Sequence, residues 1–267
     1  LGEDVVYYTP YRSMQGAVRG AFRSPVEGAV TDGAALDVGL EAMQLLHTQL
    51  AKSLEAGVPA HPTQMPPCDG NVSVAATPGP GSFLVAHPMV GMYWARSVVL
   101  VLDHCDHGAL GVIVSNSKPR GRFSSFSNHG LHDLTRRVFA DAHVHHGGPV
   151  SGTGAVLHRQ APVHGKRLGD TGIFAGGSLA KAAALVDRGA CALEDVLLFS
   201  GAAVWSEGQL DQELKEGTWT VVDHNDPWAL LRDTPLDARP DLWASLLAAC
   251  GGEYGQFPGV PQGFSET

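Results

Sequence analysis

Cysteine is scarce in this sequence, and the cysteines that are present lie far apart. They are Cys68, Cys105, Cys191 and Cys250, and no two of them form a Cys-x-x-Cys pair. Structural zinc sites and the disulfide frameworks of small secreted proteins need closely spaced or regularly paired cysteines. The sequence therefore argues against both classes. We expect a reducing compartment, in which each cysteine acts as a small apolar residue.

Long apolar runs and an excess of basic residues are also lacking. No stretch reaches the roughly 18 consecutive apolar residues that a membrane-spanning helix needs. Lys and Arg number 18 against 27 Asp and Glu, which gives a net charge of −9. Autonomous binding of DNA or RNA rests on many phosphate contacts from Lys and Arg. We expect neither a membrane span nor direct nucleic-acid binding, although a local basic face stays open.

The N-terminus lacks a methionine and has no charged segment followed by an apolar one. The chain begins at Leu1, which is typical of a processed chain or of a sequence trimmed to its ordered part. Loss of an organellar transit peptide produces such a start. We therefore expect an organellar protein, in a mitochondrion or a plastid.

An amphipathic helix is predicted over residues 34–56, ahead of a linker at residues 57–80. Apolar residues at spacings of three and four define one helix face, and they are our candidates for partner binding: Leu36, Leu40, Met43, Leu46, Leu50 and Leu54. The linker is rich in Pro, Gly and small polar residues. The predicted organisation is an N-terminal extension over residues 1–80 and a folded domain over residues 81–267. The helix face packs either on its own domain or on a partner.

Regular secondary structure is predicted from Gly81 onward. Short apolar runs predict strands at 83–86, 97–102, 110–114, 143–146, 155–158, 172–174, 196–199 and 219–222, with a hairpin turn at 103–108. Helices are predicted at 178–188, 207–216, 227–232 and 240–249. Strands come first as a hairpin and later mix with helices. This order favours an α+β fold over a doubly wound parallel sheet.

Several segments in this region resemble a known family. GSFLVAHP, RSVVLVLDH and GALGVIVSN are followed by HHGGPV, VLH, WSEGQLDQEL, GTW, DLW and GGEY. Their order and approximate spacing are similar to those of the AlgH-like (YqgE-like) family from about Gly81 to Pro261. The resemblance implies a single α+β domain with a bifurcated, partly barrel-like sheet surrounded by helices. The family has no established catalytic residues, so the resemblance implies no catalytic residue and no cofactor.

The resemblance marks a set of family-pattern residues: Arg96, Asp103, His104, Gly147, Gly148, Pro149, His158, Trp205, Gln209, Trp219 and Trp243. We expect the tryptophans to fill the core between sheet and helices. Gln209 is expected to form a capping box with Ser206, and Arg96 to pair with Asp103 across strand ends.

This chain departs from the family pattern at two places. An Asp-Pro pair that usually precedes the RSVV run is replaced by Gly91–Trp94, and a Gly-Tyr-Ala-x-Trp stretch has Ala202 in place of the tyrosine. If the family shares an ancestral ligand, these changes argue against its retention here.

Histidine is the most tempting source of chemistry. Ten of the thirteen histidines fall between positions 87 and 164. His143 and His145 would share one strand face, and with His104 they could bind zinc. A His-rich sequence yields such spacing easily, so separate surface or hydrogen-bonded histidines are the alternative. We keep these residues as metal candidates and expect no metal.

Two further segments have a chemical and a structural interpretation. The glycine run at 147–154 could cradle an anion, yet it lacks the lysine of a P-loop and is more simply a tight turn between strands. Cys105 lies between His104 and His107, which could activate a thiol. Neighbours in sequence rarely form a working dyad, and no G-x-S-x-G motif occurs. We expect no enzyme activity.

These observations favour a non-catalytic interaction or structural subunit of a larger organellar assembly, attached through other proteins of the complex. A mitochondrial or plastid ribosome is one candidate host. The first alternative is a free-standing regulatory protein of the AlgH type. The second is a metal-assisted hydrolase that uses the His-rich segment at 87–164.

Overall fold

The computed structural model describes residues 71–116, 119–126, 131–234 and 238–260. The predicted helix at 34–56 and its partner-binding candidates lie outside these residues. The strands are β1 Val72–Val74, β2 Phe83–Ala86, β3 Val98–Cys105, β4 Gly108–Ile113, β5 Gly121–Arg122, β6 His143–His146, β7 Val150–His158, β8 Lys166–Arg167, β9 Phe174–Ala175, β10 Val196–Trp205 and β11 Trp219–His224. The helices are α1 Asp133–Phe139, α2 Leu179–Asp187, α3 Gln209–Lys215, α4 Pro227–Asp233 and α5 Leu242–Cys250. None of these helices has the length and apolar character that a bilayer span requires.

The strands form one open sheet with a branch. Its order is β1-β11-β2-β3-β4-β10-β7-β9-β8, and β5 and β6 branch off at β10. All pairs are antiparallel except β6 with β10. The mixed arrangement confirms the α+β class. The described strands do not close into a barrel, which corrects the partly barrel-like sheet that the resemblance implies.

The branch arises because one long strand changes partners along its length. Leu198–Ser200 of β10 pair with β6 on one side and with β7 on the other. Ala203–Trp205 then pair with β4. The edge of β10 opposite β7 is therefore shared by two strands, and the expected bifurcation is confirmed.

Both faces of the central strands β2, β3, β4 and β10 are largely buried, which explains the continuous apolar runs in these strands. Phe83 and Val85 face a cluster that includes Trp243 of α5, whereas Leu84 and Ala86 face a cluster that includes Leu210 of α3. This alternation is the two-residue period of a strand. A further cluster packs α1 and α2 against β6, β7 and β10.

Local signals placed the predicted helices well. Each of the four lies within two residues of its predicted bounds. The hydroxyl of Ser178 accepts from the backbone of Lys181, and the carboxylate of Asp226 accepts from Ala229, so both helices begin at side-chain caps. The prediction missed α1 and the short strands β1, β5 and β8.

The hairpin and the predicted linker both need correction. The predicted turn at 103–108 is too long, because β3 continues to Cys105 and β4 begins at Gly108. Gly108 adopts a φ of 128°, which permits the tighter turn. Residues 72–74, near the end of the predicted linker, form an edge strand paired with β11. The division at residue 80 otherwise stays a prediction.

Candidate functional site

Two family-pattern segments meet at a small groove on one end of the sheet. The β3–β4 turn and the start of α3 enclose about 250 Å³. The lining residues are His104, Cys105, Asp106, Gly108, Ser206, Gly208, Leu210 and Asp211. The groove brings His104 to the segment that contains Gln209, although the two lie far apart in sequence.

His104 is held between two acceptors. Its Nδ1 lies 3.1 Å from the carbonyl oxygen of Pro78, and its Nε2 lies 3.5 Å from Oδ1 of Asp211. Both ring nitrogens therefore face groups other than the thiol of Cys105, which is exposed. This geometry gives no support to a Cys–His dyad at the β3–β4 turn.

Glu213 of α3 organises the residues beside the groove. One carboxylate oxygen accepts from Nε1 of Trp205 at 2.8 Å and from Nε1 of Trp219 at 2.7 Å. The other accepts from Nε2 of Gln209 at 2.9 Å. Three family-pattern side chains thus converge on one acid that sequence reasoning missed. The available signal was its position four residues after Gln209, on the same helix face.

The predicted capping box is half formed. The side chain of Gln209 accepts from the backbone N–H of Ser206 at 3.0 Å, as predicted. The N–H of Gln209, however, donates to the carbonyl oxygen of Ser206 rather than to its hydroxyl. The reason is that α3 begins later than expected, with Gly208 as its N-cap residue in a left-handed conformation.

The expected ion pair between Arg96 and Asp103 is not formed. Arg96 precedes β3 and donates to the carbonyl oxygen of Val260 at 3.0 Å, with its guanidinium 4.9 Å from the ring centre of Trp243. Asp103 lies near the far end of β3 and pairs with Lys166. A strand rises about 3.3 Å per residue, so the length of β3 separates the two side chains.

Two other family-pattern side chains bond to the backbone of the domain. Nε2 of the buried His158 lies 2.8 Å from the carbonyl oxygen of Gly176. Nε1 of the buried Trp243 donates to the carbonyl oxygen of Ala86 at 2.7 Å. The first bond joins the end of β7 to the residue after β9, and the second joins α5 to the end of β2.

The start of the glycine run lies where the backbone after β6 crosses β10. The N–H of Gly147 donates to Ser200, and its carbonyl accepts from Ile113, so this residue joins β4 to β10 at the branch. A Cβ atom at Gly148 would lie 2.1 Å from the carbonyl carbon of Ala202. Pro149 stands at the bend that follows, and the run from Val150 onward is strand β7. The tight turn is confirmed only for 147–149.

The structure does not bring the metal candidates together. The side chain of His143 is exposed. That of His145 is buried, with its Nδ1 3.4 Å from Nη1 of Arg239. His104 lies instead in the groove between Pro78 and Asp211. Within the described ranges, no three His, Cys, Asp or Glu side chains are arranged to hold a metal ion.

Comparison with known proteins agrees with the pattern of recurring residues. A family model described as AlgH-like (DUF179) matches residues 83–255. The chain belongs to the AlgH-like family. It is 32% identical over 176 residues to a UPF0301 protein of Variovorax paradoxus, which covers 62% of this chain and 86% of that protein. It is 27% identical over 189 residues to a UPF0301 protein of Bacteroides thetaiotaomicron, at 69% and 90% coverage.

A solved structure is also similar to this chain. The solution structure of the AlgH protein from Pseudomonas aeruginosa is 26% identical, with a TM-score of 0.48. The match covers 65% of this chain and 90% of that protein.

The AlgH-like domain contains an unusual buried pair of basic side chains, His145 and Arg239. Burial, followed by the neighbouring guanidinium, lowers the pKa of His145 to about 3. Burial also lowers the pKa of Arg239 to about 10. Arg239 donates to the carbonyl oxygen of Leu231 at 3.1 Å, near the end of α4, whereas its Nε has no hydrogen-bond partner in the part of the chain that the structure describes. The imidazole of His145 is therefore neutral in the folded domain near pH 7.

This pair predicts a pH dependence of stability. His145 binds a proton near pH 6.5 when unfolded but only near pH 3 when folded, so between these values the unfolded state binds more protons. The free energy of unfolding then falls as pH is lowered from 6.5 towards 3, by about 1.4 kcal/mol per pH unit from this group. We expect His145→Gln to remove that part of the slope in urea titrations from pH 6.5 to 4.5. Equal slopes for the two proteins would contradict the assignment.

Proposed function

We propose that this chain is a non-catalytic interaction subunit of a larger assembly, with the AlgH-like domain as its folded body. The observation that supports this best is where the family-pattern side chains point. Trp205, Gln209 and Trp219 bond to Glu213, and Arg96, His158 and Trp243 bond to backbone carbonyls. Side chains that form such bonds within the domain maintain its fold. The recurrence of these residues in the family therefore does not require a common catalytic reaction.

The attachment is proposed to run through other proteins. A net charge of −9 disfavours a role that depends on autonomous contacts to nucleic-acid phosphates. A protein-mediated position in a mitochondrial or plastid assembly, with an organellar ribosome as one candidate host, is compatible with that charge.

The test is the native size of the endogenous protein on a density gradient, with and without nuclease, after fractionation of organelles. We expect migration in a megadalton peak, and mass spectrometry of co-migrating proteins then names the host. A shift on nuclease treatment would indicate a ribosome-like particle. Migration near 28.0 kDa, or as a small oligomer, would overturn the proposal and favour a free regulator. Stoichiometric metal lost on His143→Ala would instead favour the hydrolase.

A further inference from the structure

An exposed aromatic residue stands beside the branch of the sheet. Tyr93 has 46% of its surface exposed and is one of two large hydrophobic residues exposed among those described. Its ring packs edge-on against Trp94 at 5.2 Å, and its hydroxyl lies 3.1 Å from Nδ1 of His146. Two neighbours therefore fix its orientation. Tyrosine held in this way offers a large contact area at little cost in conformational entropy.

An arginine that pairs with no acid of the described part of the chain lies near it. Arg120 is exposed, and its Nη1 donates to the hydroxyl of Ser200 in β10 at 3.0 Å. Among the described residues it forms no ion pair with a carboxylate. Partial burial raises the pKa of Tyr93, and the positive charge of Arg120 lowers it. The guanidinium of Arg120 therefore interacts electrostatically with the hydroxyl of Tyr93.

The remaining members come from the strands that meet at the branch. His146 ends β6, and its carbonyl oxygen accepts from Nδ2 of Asn116. When Tyr93 donates to Nδ1 of His146, the ring proton is on Nε2, which becomes a further donor. We name the set Tyr93, Arg120, His146 and Ser200 the fork surface. It combines a guanidinium held by one hydrogen bond, an imidazole that donates through Nε2 in this tautomer, and an aromatic ring.

We propose that the fork surface binds an acidic segment of a partner protein, with a carboxylate of the partner on Arg120 and apolar contact to Tyr93. A guanidinium carries five N–H donors in a planar fork that matches a carboxylate. Only one of its hydrogen bonds is used within the described residues. Tyr and Arg are also the residue types that dominate the energetics of protein interfaces.

The chemistry of the whole chain favours a protein over a nucleic acid as the occupant. Phosphate backbones are bound through many cations, and the excess of acidic residues opposes such binding. A single acidic side chain of a partner needs only a local basic site. Salt screens charges beyond about 8 Å, so the negative charge of the rest of the chain opposes its binding only weakly. This inference rests on the proposed function, since it names the surface through which the subunit is attached.

The decisive experiment replaces the endogenous protein by single variants and repeats the gradient. Arg120→Glu and Tyr93→Ala are each expected to reduce the share of protein in the large peak by about tenfold or more. Lys181→Glu is the matched control, because it makes the same change of charge at an exposed position of α2. It should leave the share unchanged. Thermal melts of the purified variants check that each one folds. If Arg120→Glu does not fold, the result for Tyr93→Ala decides whether the fork surface is used.

A chemical probe identifies the group that Arg120 meets. In an Arg120→Lys variant, a zero-length carbodiimide joins the introduced amine only to a carboxylate in contact with it. We expect a cross-link to Asp or Glu of a co-migrating protein. Ultraviolet cross-linking of this surface to RNA, without that product, would overturn the inference.

The two proposals fail differently. If Arg120→Glu and Tyr93→Ala stay in the megadalton peak, the fork surface is wrong and the subunit role stands. If the wild-type protein itself migrates as a free chain, both are wrong.

Discussion

Glu213→Ala is expected to lower the free energy of unfolding of the AlgH-like domain by about 3 kcal/mol or more. The carboxylate accepts from the indole N–H groups of Trp205 and Trp219, whose side chains are 3% and 5% exposed. Each buried donor left without an acceptor costs about 1–3 kcal/mol. Alanine removes the acceptor from both at once, and it also removes the acceptor of Nε2 of Gln209.

Two further variants show whether the hydrogen bonds carry this effect. Glu213→Gln keeps one acceptor oxygen for the indoles but turns an amide towards the amide of Gln209, so we expect an intermediate loss of about 1 kcal/mol. Glu216→Ala removes the acid at the C-cap of α3, whose side chain accepts only from Gln212 among the described residues, and it should cost less than about 0.5 kcal/mol. Urea unfolding with unchanged m-values measures all three. Equal losses for Glu213→Ala and Glu216→Ala would refute the role of the carboxylate.

Sequence reasoning succeeded where the signal is local. The strand Phe83–Ala86 and the strand His143–His146 were predicted to the residue. The former is an apolar run because both faces of the sheet are covered. The starts of the helices at Leu179 and Pro227 were predicted within one residue, and the side chains of Ser178 and Asp226 cap their first turns.

Local signals failed where distant backbone sets the structure. The prediction ended β10 at Phe199, yet the strand continues to Trp205 through Gly201 and Ala202. Small residues have low strand propensity, and nothing in their neighbourhood predicts a strand. Gly201 is needed here because the turn after β6 crosses β10 at this point, where a Cβ atom at Gly201 would lie 2.2 Å from the carbonyl oxygen of Gly148. Tertiary contact overrides propensity at this crossing.

The candidate site was predictable only as a collection of parts. The tryptophans are buried as expected and Gln209 forms half of its predicted capping box, but Glu213, the acceptor shared by Trp205, Trp219 and Gln209, was not found. The hydrogen bonds to Glu213 join β10, α3 and β11. The spacing of residues in a single sequence does not reveal which strands are neighbours. The fork surface has the same character, because Tyr93, Arg120 and His146 come from three separate segments.

Gly148→Ala is expected to destabilise the domain by more than about 4 kcal/mol, or to prevent folding, which would place it among the most damaging single substitutions. A Cβ atom there would lie 2.1 Å from the carbonyl carbon, 2.2 Å from the carbonyl oxygen and 2.4 Å from the next nitrogen, at Ala202 and Ala203. These are backbone atoms of β10, so no side-chain rotation relieves the overlap. The strand would have to move away from the turn, which would break the pairing at the branch.

Gly152→Ala separates this overlap from backbone strain. Gly152 has a φ of 74°, yet a Cβ atom there would meet none of the described residues within 4 Å. Its replacement should therefore cost only the strain of a left-handed alanine, about 1–2 kcal/mol. Gly148 has a φ of 154°, so a conformational penalty alone predicts similar losses for the two variants. Urea unfolding and soluble yield measure both. A loss at Gly148 well above that at Gly152 assigns the difference to the contact with β10, whereas equal losses would mean that the two backbones can separate without cost.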